Sequence, residues 1–183
     1  MRSLRKKEKH LISIVTTFVI LAILMFLSKD NFQKAYVTRV VDGDTIKVQI
    51  NAKEYTVRLI GINTPETNHP TKGVEPYGKE AKRFTTEMLT GKSVWLEFDA
   101  ETKDRYGRLL AYVWLEKPNE LSEEEIREKM FNAILLLEGY AQVMTVPPNV
   151  KYAHYFVKFQ REAISEEKGL WSLDYYSRVK NKK

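Results

Sequence analysis

The sequence predicts a mainly β (α+β) domain, a small five-stranded Greek-key barrel with about three helices packed on it. Two observations predict this class. Five short segments alternate apolar and polar residues with a period of two and are separated by turns or by longer segments. The longer segments carry apolar residues at helical spacing. A chain of 183 residues with 43% hydrophobic content is long enough for one such domain.

The first three strands follow one another closely and predict a β-meander. The turn between the first two is Asp42-Gly43, a hairpin-type dipeptide, and the turn between the next two is Asn51-Ala52-Lys53. Thr64-Pro65 ends the run. The apolar positions of the three strands are Val37, Val40 and Val41, then Ile46, Val48 and Ile50, then Tyr55, Val57 and Leu59.

The second half alternates helices and strands. A helix is predicted over 78–89, closed by Gly91, and strands are predicted at Val94–Phe98 and at Leu109–Leu115. The capping box Ser122–Glu125 begins a helix that continues through Met130 and ends near Gly139. The last helix is predicted over 151–168.

The N-terminus predicts a membrane anchor. Residues 1–10 form a basic flank, and Leu11–Leu27 contains seventeen residues without a charge, about 26 Å of helix. We therefore predict a transmembrane signal anchor over 11–28 and a linker over 29–35. The positive-inside rule places the flank in the cytoplasm and the domain, 36–173, outside the cell membrane. Cleavage of the same segment, giving a secreted protein, is the alternative.

Composition excludes several kinds of chemistry. The chain has no cysteine, so disulfides, thiolate nucleophiles and cysteine zinc sites are excluded. The net charge of +6 lies mainly in the first thirty residues and in a basic tail predicted over 174–183. Residues 31–177 hold 20 basic and 22 acidic residues, a net charge of −2. Attraction of an anionic partner must therefore come from a local cluster of cations.

Three short segments carry the chemistry. They are Asp42-Gly43-Asp44-Thr45, Arg58-Leu59-Ile60-Gly61-Ile62-Asn63-Thr64-Pro65-Glu66 and Asp104-Arg105-Tyr106-Gly107-Arg108. Together they offer hard oxygen ligands for a divalent cation, one further carboxylate, and two arginines near predicted strands. Breaking a phosphodiester needs such groups to neutralise transition-state charge and to accept a proton from water.

The three segments resemble those of the staphylococcal (micrococcal) thermonuclease family, in the family's order and approximate spacing. The similarity runs from about Tyr36 to Trp171. It implies an OB-fold barrel, a monomeric catalytic domain, and a calcium-dependent enzyme that hydrolyses DNA and RNA.

The resemblance also implies a role for each site residue. Arg58 and Arg108 correspond to arginines that stabilise charge on the phosphate, and Glu66 corresponds to the general base. Arg105 and Tyr106 correspond to a pair that binds a further phosphate of the substrate. The implied Ca²⁺ ligands are Asp44, Asn63 and the backbone carbonyl of Thr64, with Asp42 supporting them.

Asn63 departs from the family pattern, which has a metal-binding aspartate at this position. The amide oxygen can still bind calcium, but one negative charge is missing. Asn63 leaves two functions open, a membrane-tethered nuclease weakened by Asn63 and an OB-fold module that holds nucleic acid at the membrane without hydrolysing it. A peptidoglycan- or surface-attached structural domain is a third possibility, which only the predicted anchor supports.

Overall fold

The computed structural model describes Thr17, residues 31–67 and residues 73–176. The predicted basic flank over 1–10, the predicted anchor over 11–28 (Thr17 apart) and the end of the predicted tail lie outside these ranges. Within them, no helix combines the length and apolar character needed to cross a membrane. From Phe32 onward the described residues belong to one compact unit.

Within the described ranges the chain forms seven strands, which are β1 (Phe32–Asp42), β2 (Thr45–Ile50), β3 (Lys53–Leu59), β4 (Ile62–Asn63), β5 (Ser93–Glu97), β6 (Leu109–Trp114) and β7 (Gln142–Val143). Five of them close a barrel in the order β1-β2-β3-β6-β5. The pairing of β3 with β6 is parallel, and the pairings of β1 with β2, β1 with β5, β2 with β3 and β5 with β6 are antiparallel. β4 and β7 form a separate two-stranded sheet. This architecture fits the predicted OB-fold, α+β class.

The alternation in the sequence places the aliphatic residues inside the barrel. Ile46 and Val48 on β2 and Val57 on β3 are fully buried, while the polar residues between them face outward. Asn51 and Ala52 both adopt positive φ, which makes the predicted turn between β2 and β3 tight. The predicted meander is confirmed.

Four α-helices are present in the described residues, α1 (Gly78–Leu89), α2 (Glu123–Lys129), α3 (Phe131–Leu137) and α4 (Ala153–Ser165), followed by a 3₁₀ turn (Gly169–Ser172). The bounds of α1 are those predicted. Its buried face consists of Ala81, Thr85 and Leu89, at the spacing of one helix face. The last helix is shorter at both ends than the predicted 151–168.

The single helix predicted after Ser122 is wrong, because the chain breaks it at Met130. This residue has extended backbone angles and separates α2 from α3. Met130 forms a β-bridge with Trp114, and the amide of Leu115 donates to the carbonyl of Lys129 at 2.8 Å. Pairing with the end of β6 therefore overrides an unbroken helical pattern.

Two boundaries also differ from the sequence prediction. β1 begins at Phe32, inside the stretch predicted as a linker, because residues 32–36 pair with β5. Tyr176 lies in the stretch predicted as a basic tail, yet its side chain is buried. Its hydroxyl donates to the carbonyl of Pro76 at 2.9 Å, so the folded domain includes this residue.

A buried asparagine fixes the part of the barrel that carries the candidate site. Asn132 on α3 accepts a hydrogen bond from the amide of Val113 at 2.9 Å and donates to the carbonyl of Ile60 at 2.8 Å. The amide of Ile60 in turn donates to the carbonyl of Ala111. These bonds hold the end of β3 against β6.

Candidate active site

Parallel pairing of β3 and β6 brings the two predicted arginines to one region. Arg58 stands opposite Leu110 in the register, and Arg108 immediately precedes β6. The positive charge of Arg108 lowers the pKa of Arg58, and both residues line one cavity of ≈ 200 Å³. Two residues distant in sequence thus face a common space.

Arg58 is largely buried, with 11% of its side chain exposed, and is firmly held. Nη2 lies 3.0 Å from Oδ2 of Asp44, and Nη1 donates to the carbonyls of Leu59 at 2.8 Å and Ile62 at 2.9 Å. Burial lowers the pKa of the Arg58 guanidinium, while the carboxylate of Asp44 opposes this shift. The side chain therefore stays charged in a partly desolvated place, where its field is stronger than in water.

The Asp42–Thr45 turn presents the two predicted carboxylates. Oδ2 of Asp44 accepts from the amide of Thr64 at 3.0 Å, and Oδ1 accepts from the hydroxyl of Thr45 at 3.0 Å. Asp42 accepts from the hydroxyl of Thr67 at 3.0 Å. These contacts join the turn to the segment that carries Asn63 and Glu66.

Gly43 allows this close approach. A Cβ atom at Gly43 would lie 2.7 Å from Oγ1 of Thr64, which real Cβ atoms essentially never do. The hydroxyl of Thr64 is buried and has no hydrogen-bond partner among the residues that the structure describes. The Asp-Gly-Asp pattern thus reflects backbone packing as well as the placing of two carboxylates.

Asn63 bridges two groups of the site. Its Oδ1 accepts from Nη2 of Arg58 at 3.0 Å, and its Nδ2 donates to the carbonyl of Thr64 at 3.2 Å. Two of the predicted calcium ligands, Asn63 and the Thr64 carbonyl, are therefore hydrogen-bonded to each other.

Glu66 is exposed at the edge of this cluster. Partial burial, a hydrogen bond shared with Asp42, and the negative charges of Asp42 and Asp44 raise the pKa of the Glu66 carboxyl. Arg58 opposes the shift. A carboxylate with a raised pKa is a stronger base, which suits a general base.

Asp104 holds the side chain and the backbone of Arg108 through hydrogen bonds. Its Nε donates to Oδ2 of Asp104 at 2.6 Å, and its backbone amide donates to Oδ1 at 3.0 Å. Burial alone would raise the pKa of Asp104, but the hydrogen bonds from Arg108 outweigh it and lower that pKa. Within the described residues the two Nη groups of Arg108 donate no hydrogen bond. They are available to a ligand in the cavity.

Arg105 and Tyr106 lie together on the exposed side of the same turn. Nη2 of Arg105 donates to the hydroxyl of Tyr106 at 2.6 Å. The ring centroid of Tyr106 lies 4.8 Å from the Arg105 guanidinium and 5.5 Å from that of Arg108. Both cations therefore contact one aromatic ring, and 69% of Tyr106 is exposed.

Sequence reasoning missed several residues of the cavity, among them Asp104, Met144 and Val146. The spacing of four residues between Asp104 and Arg108 is the signal that could have predicted their ion pair. Met144 and Val146 supply an aliphatic wall and are 41% and 57% exposed. No local pattern marks these two, because they reach the site through tertiary contacts.

The chemistry of the site fits a hard cation only in part. Asp44, Asn63, Glu66 and the Thr64 carbonyl supply oxygens, and the repulsion that raises the pKa of Glu66 would be relieved by a cation. Within the described part of the chain, however, no group of three His, Cys, Asp or Glu side chains is placed so that it could hold a metal ion by itself. Amide, carbonyl and water oxygens would have to complete the shell.

The family described as staphylococcal nuclease homologue matches residues 56–173, which is more than half of the chain and includes Arg58, Glu66 and Arg108. The chain belongs to the staphylococcal nuclease family. The resemblance predicted from the three sequence segments is thereby confirmed.

Three relatives illustrate the similarity. A thermonuclease of Staphylococcus hyicus is 40% identical over 179 residues, covering 92% of this chain and 99% of that protein. A thermonuclease of Staphylococcus intermedius is 44% identical over 135 residues, 74% of each chain. The SPbeta prophage-derived endonuclease YokF of Bacillus subtilis strain 168 is 42% identical over 140 residues, 75% of this chain and 44% of that protein.

Proposed function

We propose that the chain is a calcium-dependent nuclease that hydrolyses phosphodiester bonds in DNA and RNA. Its family and its thermonuclease and endonuclease relatives support a hydrolase of this class. One observation supports the chemistry most directly. The largely buried Arg58 lies 3.0 Å from the carboxylate of Asp44, and its charge and those of Asp42 and Asp44 act on a further carboxyl, Glu66, whose pKa is raised.

Glu66 is the proposed general base. The oxygen of a water molecule attacks phosphorus, and the proton of that water passes to Glu66. A P–O ester bond then breaks, and the departing oxygen takes a proton from solvent. Because the pKa of Glu66 is raised, its carboxylate holds the proton better than an ordinary glutamate would.

The two arginines have different proposed roles. Arg58 donates three hydrogen bonds, to the carbonyls of Leu59 and Ile62 and to the side chain of Asn63, and forms an ion pair with Asp44. It contributes a fixed, largely buried charge. Arg108 uses Nε on Asp104 and keeps both Nη groups for the phosphate, so it is the proposed bidentate clamp.

Arg105 and Tyr106 are the proposed contact for a neighbouring phosphate. Both are exposed, and the guanidinium is held over the ring. Calcium, when bound by Asp44, Asn63 and the Thr64 carbonyl with Asp42 in support, would supply positive charge near the scissile phosphate.

A second function is favoured by the contact between Asn63 and Thr64. If the amide keeps the Thr64 carbonyl occupied, the site binds nucleic acid through its arginines without hydrolysing it. Incubation with denatured DNA, first with calcium and then with a chelator, separates the two. Cleavage that requires calcium supports the nuclease, and binding without cleavage in both conditions supports the binding module.

We also propose that the domain is a monomer tethered to the cell membrane on its outer side through Leu11–Leu27. The apolar length of that segment and its basic flank support the tether. The full chain should fractionate with membranes and resist extraction by high salt, since salt screens charges but not apolar burial. A form in the medium that begins near Asp30 would instead show cleavage and secretion.

A further inference from the structure

The exposed face of α1 borders a basic groove that the proposed mechanism does not use. Three cations line it, and they lie on one helix face at spacings of three and four residues, Lys79, Lys82 and Arg83. Thr67, Thr86 and Glu87 complete the wall of this α1 groove, whose volume is ≈ 620 Å³. The lining carries three positive charges and one negative charge, although residues 31–177 carry a net charge of −2.

The cations of the α1 groove make few contacts with the described part of the chain. Within the described ranges, Lys79 and Lys82 form no ion pair, and Lys82 is half-buried. Arg83 and Glu87 lie 3.9 Å apart and are 72% and 67% exposed, so this ion pair is weak and solvated. A half-buried ammonium without a carboxylate partner is well placed for an external anion.

The α1 groove adjoins the candidate active site. Thr67 lines the groove, follows Glu66 in the chain, and donates to Oδ1 of Asp42 at 3.0 Å. From Lys79 to Arg83 the cations span about 6 Å along the helix axis, enough for more than one phosphate of a strand.

We propose that the α1 groove binds phosphates of the nucleic-acid strand beyond the scissile bond. The inference rests on the proposed function, because it assigns the substrate as a polymer that reaches past the arginines. Charge complementarity and the shared Thr67 favour a nucleic-acid strand over an anionic membrane surface as the occupant.

The test uses the full chain with Lys79, Lys82 and Arg83 all replaced by Gln. A matched variant removes the same charge from exposed cations that do not line the groove, Lys53, Lys92 and Arg161. Binding of a single-stranded oligothymidylate is measured without calcium at several salt concentrations. If about three phosphate contacts are lost, the negative slope of log affinity against log salt concentration should become less steep by about 2. Affinity in low salt should fall about tenfold. The matched variant should retain most of the affinity.

Hydrolysis and a vesicle assay provide the remaining comparisons. In calcium, the groove variant should lose far more activity on the long strand than on a dinucleotide, which is too short to reach α1. Equal losses on both substrates, or equal behaviour of the two variants, would overturn the inference. So would loss of binding to phosphatidylserine vesicles with oligothymidylate binding intact. If the unmodified chain cleaves neither substrate, the nuclease proposal fails, while the calcium-free binding result still decides about the groove.

Discussion

The side-chain amide of Asn63 donates a hydrogen bond to the backbone carbonyl of Thr64, with 3.2 Å between Nδ2 and O. Its orientation follows from the neighbouring guanidinium, because Arg58 offers only donors and the amide oxygen must face it. An oxygen that the family resemblance assigns to calcium therefore already accepts a hydrogen bond. A carboxylate at position 63 would accept from Arg58 as well, but it has no donor to place on the Thr64 carbonyl.

Asn63→Asp should therefore strengthen calcium binding and speed cleavage. The substitution frees the Thr64 carbonyl and adds a negative charge, and calcium affinity rises with the charge of its ligands. We expect tighter binding by titration calorimetry and at least about tenfold faster cleavage, or about 1.4 kcal/mol of activation free energy.

Asn51→Asp, in the exposed turn between β2 and β3, adds the same charge away from the site and is the control. It should leave both measurements close to those of the unmodified chain. Unchanged calcium affinity and rate in Asn63→Asp would show that the amide does not limit the site, and the binding module would become the leading function.

Arg58→Lys and Arg108→Lys should differ in stability although both reduce hydrolysis. A lysine at position 58 has three N–H donors for the four groups that Arg58 contacts, so partly buried groups lose partners at about 1–3 kcal/mol of unfolding free energy. Arg108 is 33% exposed, and its pair with Asp104 is partly solvated, so the loss there should be below about 1 kcal/mol.

Hydrolysis should fall about a hundredfold or more in each variant. At position 108 an ammonium cannot present the planar fork that binds two phosphate oxygens, and at position 58 it cannot keep the fixed positive charge in the same place. Chemical denaturation measures the stability difference, and initial rates on denatured DNA measure the activity. Equal destabilisation by the two substitutions would contradict the division into a buried charge and a solvent-facing clamp.

Much of this arrangement could be predicted from the sequence, because the determining patterns are local. Alternation at Ile46 and Val48 located a strand, and helical spacing fixed the bounds of α1. The break at Met130 could not be predicted, since the helical pattern continues through it and the competing contact comes from Trp114. The orientation of the Asn63 amide was equally hidden, because it depends on the Arg58 side chain.

The raised pKa of Glu66 predicts a pH dependence that can be measured in calcium-free protein. Its carboxyl should titrate above its ordinary value of 4.5, as followed by NMR. A carboxyl whose pKa rises on folding contributes stability below its unfolded pKa, and that contribution is lost as the pH rises through the folded pKa. Glu66→Gln should therefore be more stable than the unmodified chain at neutral pH but not in acid, while losing hydrolysis.

Glu128→Gln, at an exposed position of α2, removes one carboxylate elsewhere and is the control for net charge. It should reproduce neither the stability difference nor the loss of hydrolysis. Full activity in Glu66→Gln would mean that another group accepts the proton.

Gly43→Ala should disturb the site through packing alone. The new Cβ would meet the side chain of Thr64 at 2.7 Å, so the two segments must separate, at about 1–3 kcal/mol of unfolding free energy. Gly73→Ala meets no atom of the described residues within 4 Å and measures the cost of a positive φ. Thermal unfolding compares them, and a smaller loss at Gly43 than at Gly73 would contradict the close approach.

The parallel pairing of β3 with β6 makes activity a property of the completed fold. Everything from β4 to the turn before β6 lies between Arg58 and Arg108 in the chain, so the two arginines meet only after a long-range contact forms. Such contacts form slowly compared with local ones. A chain synthesised as far as Arg108, or a full chain whose barrel has not closed, therefore contains Arg58, Glu66 and Arg108 and still has no complete site. During refolding, the return of hydrolysis would time the closure of the barrel.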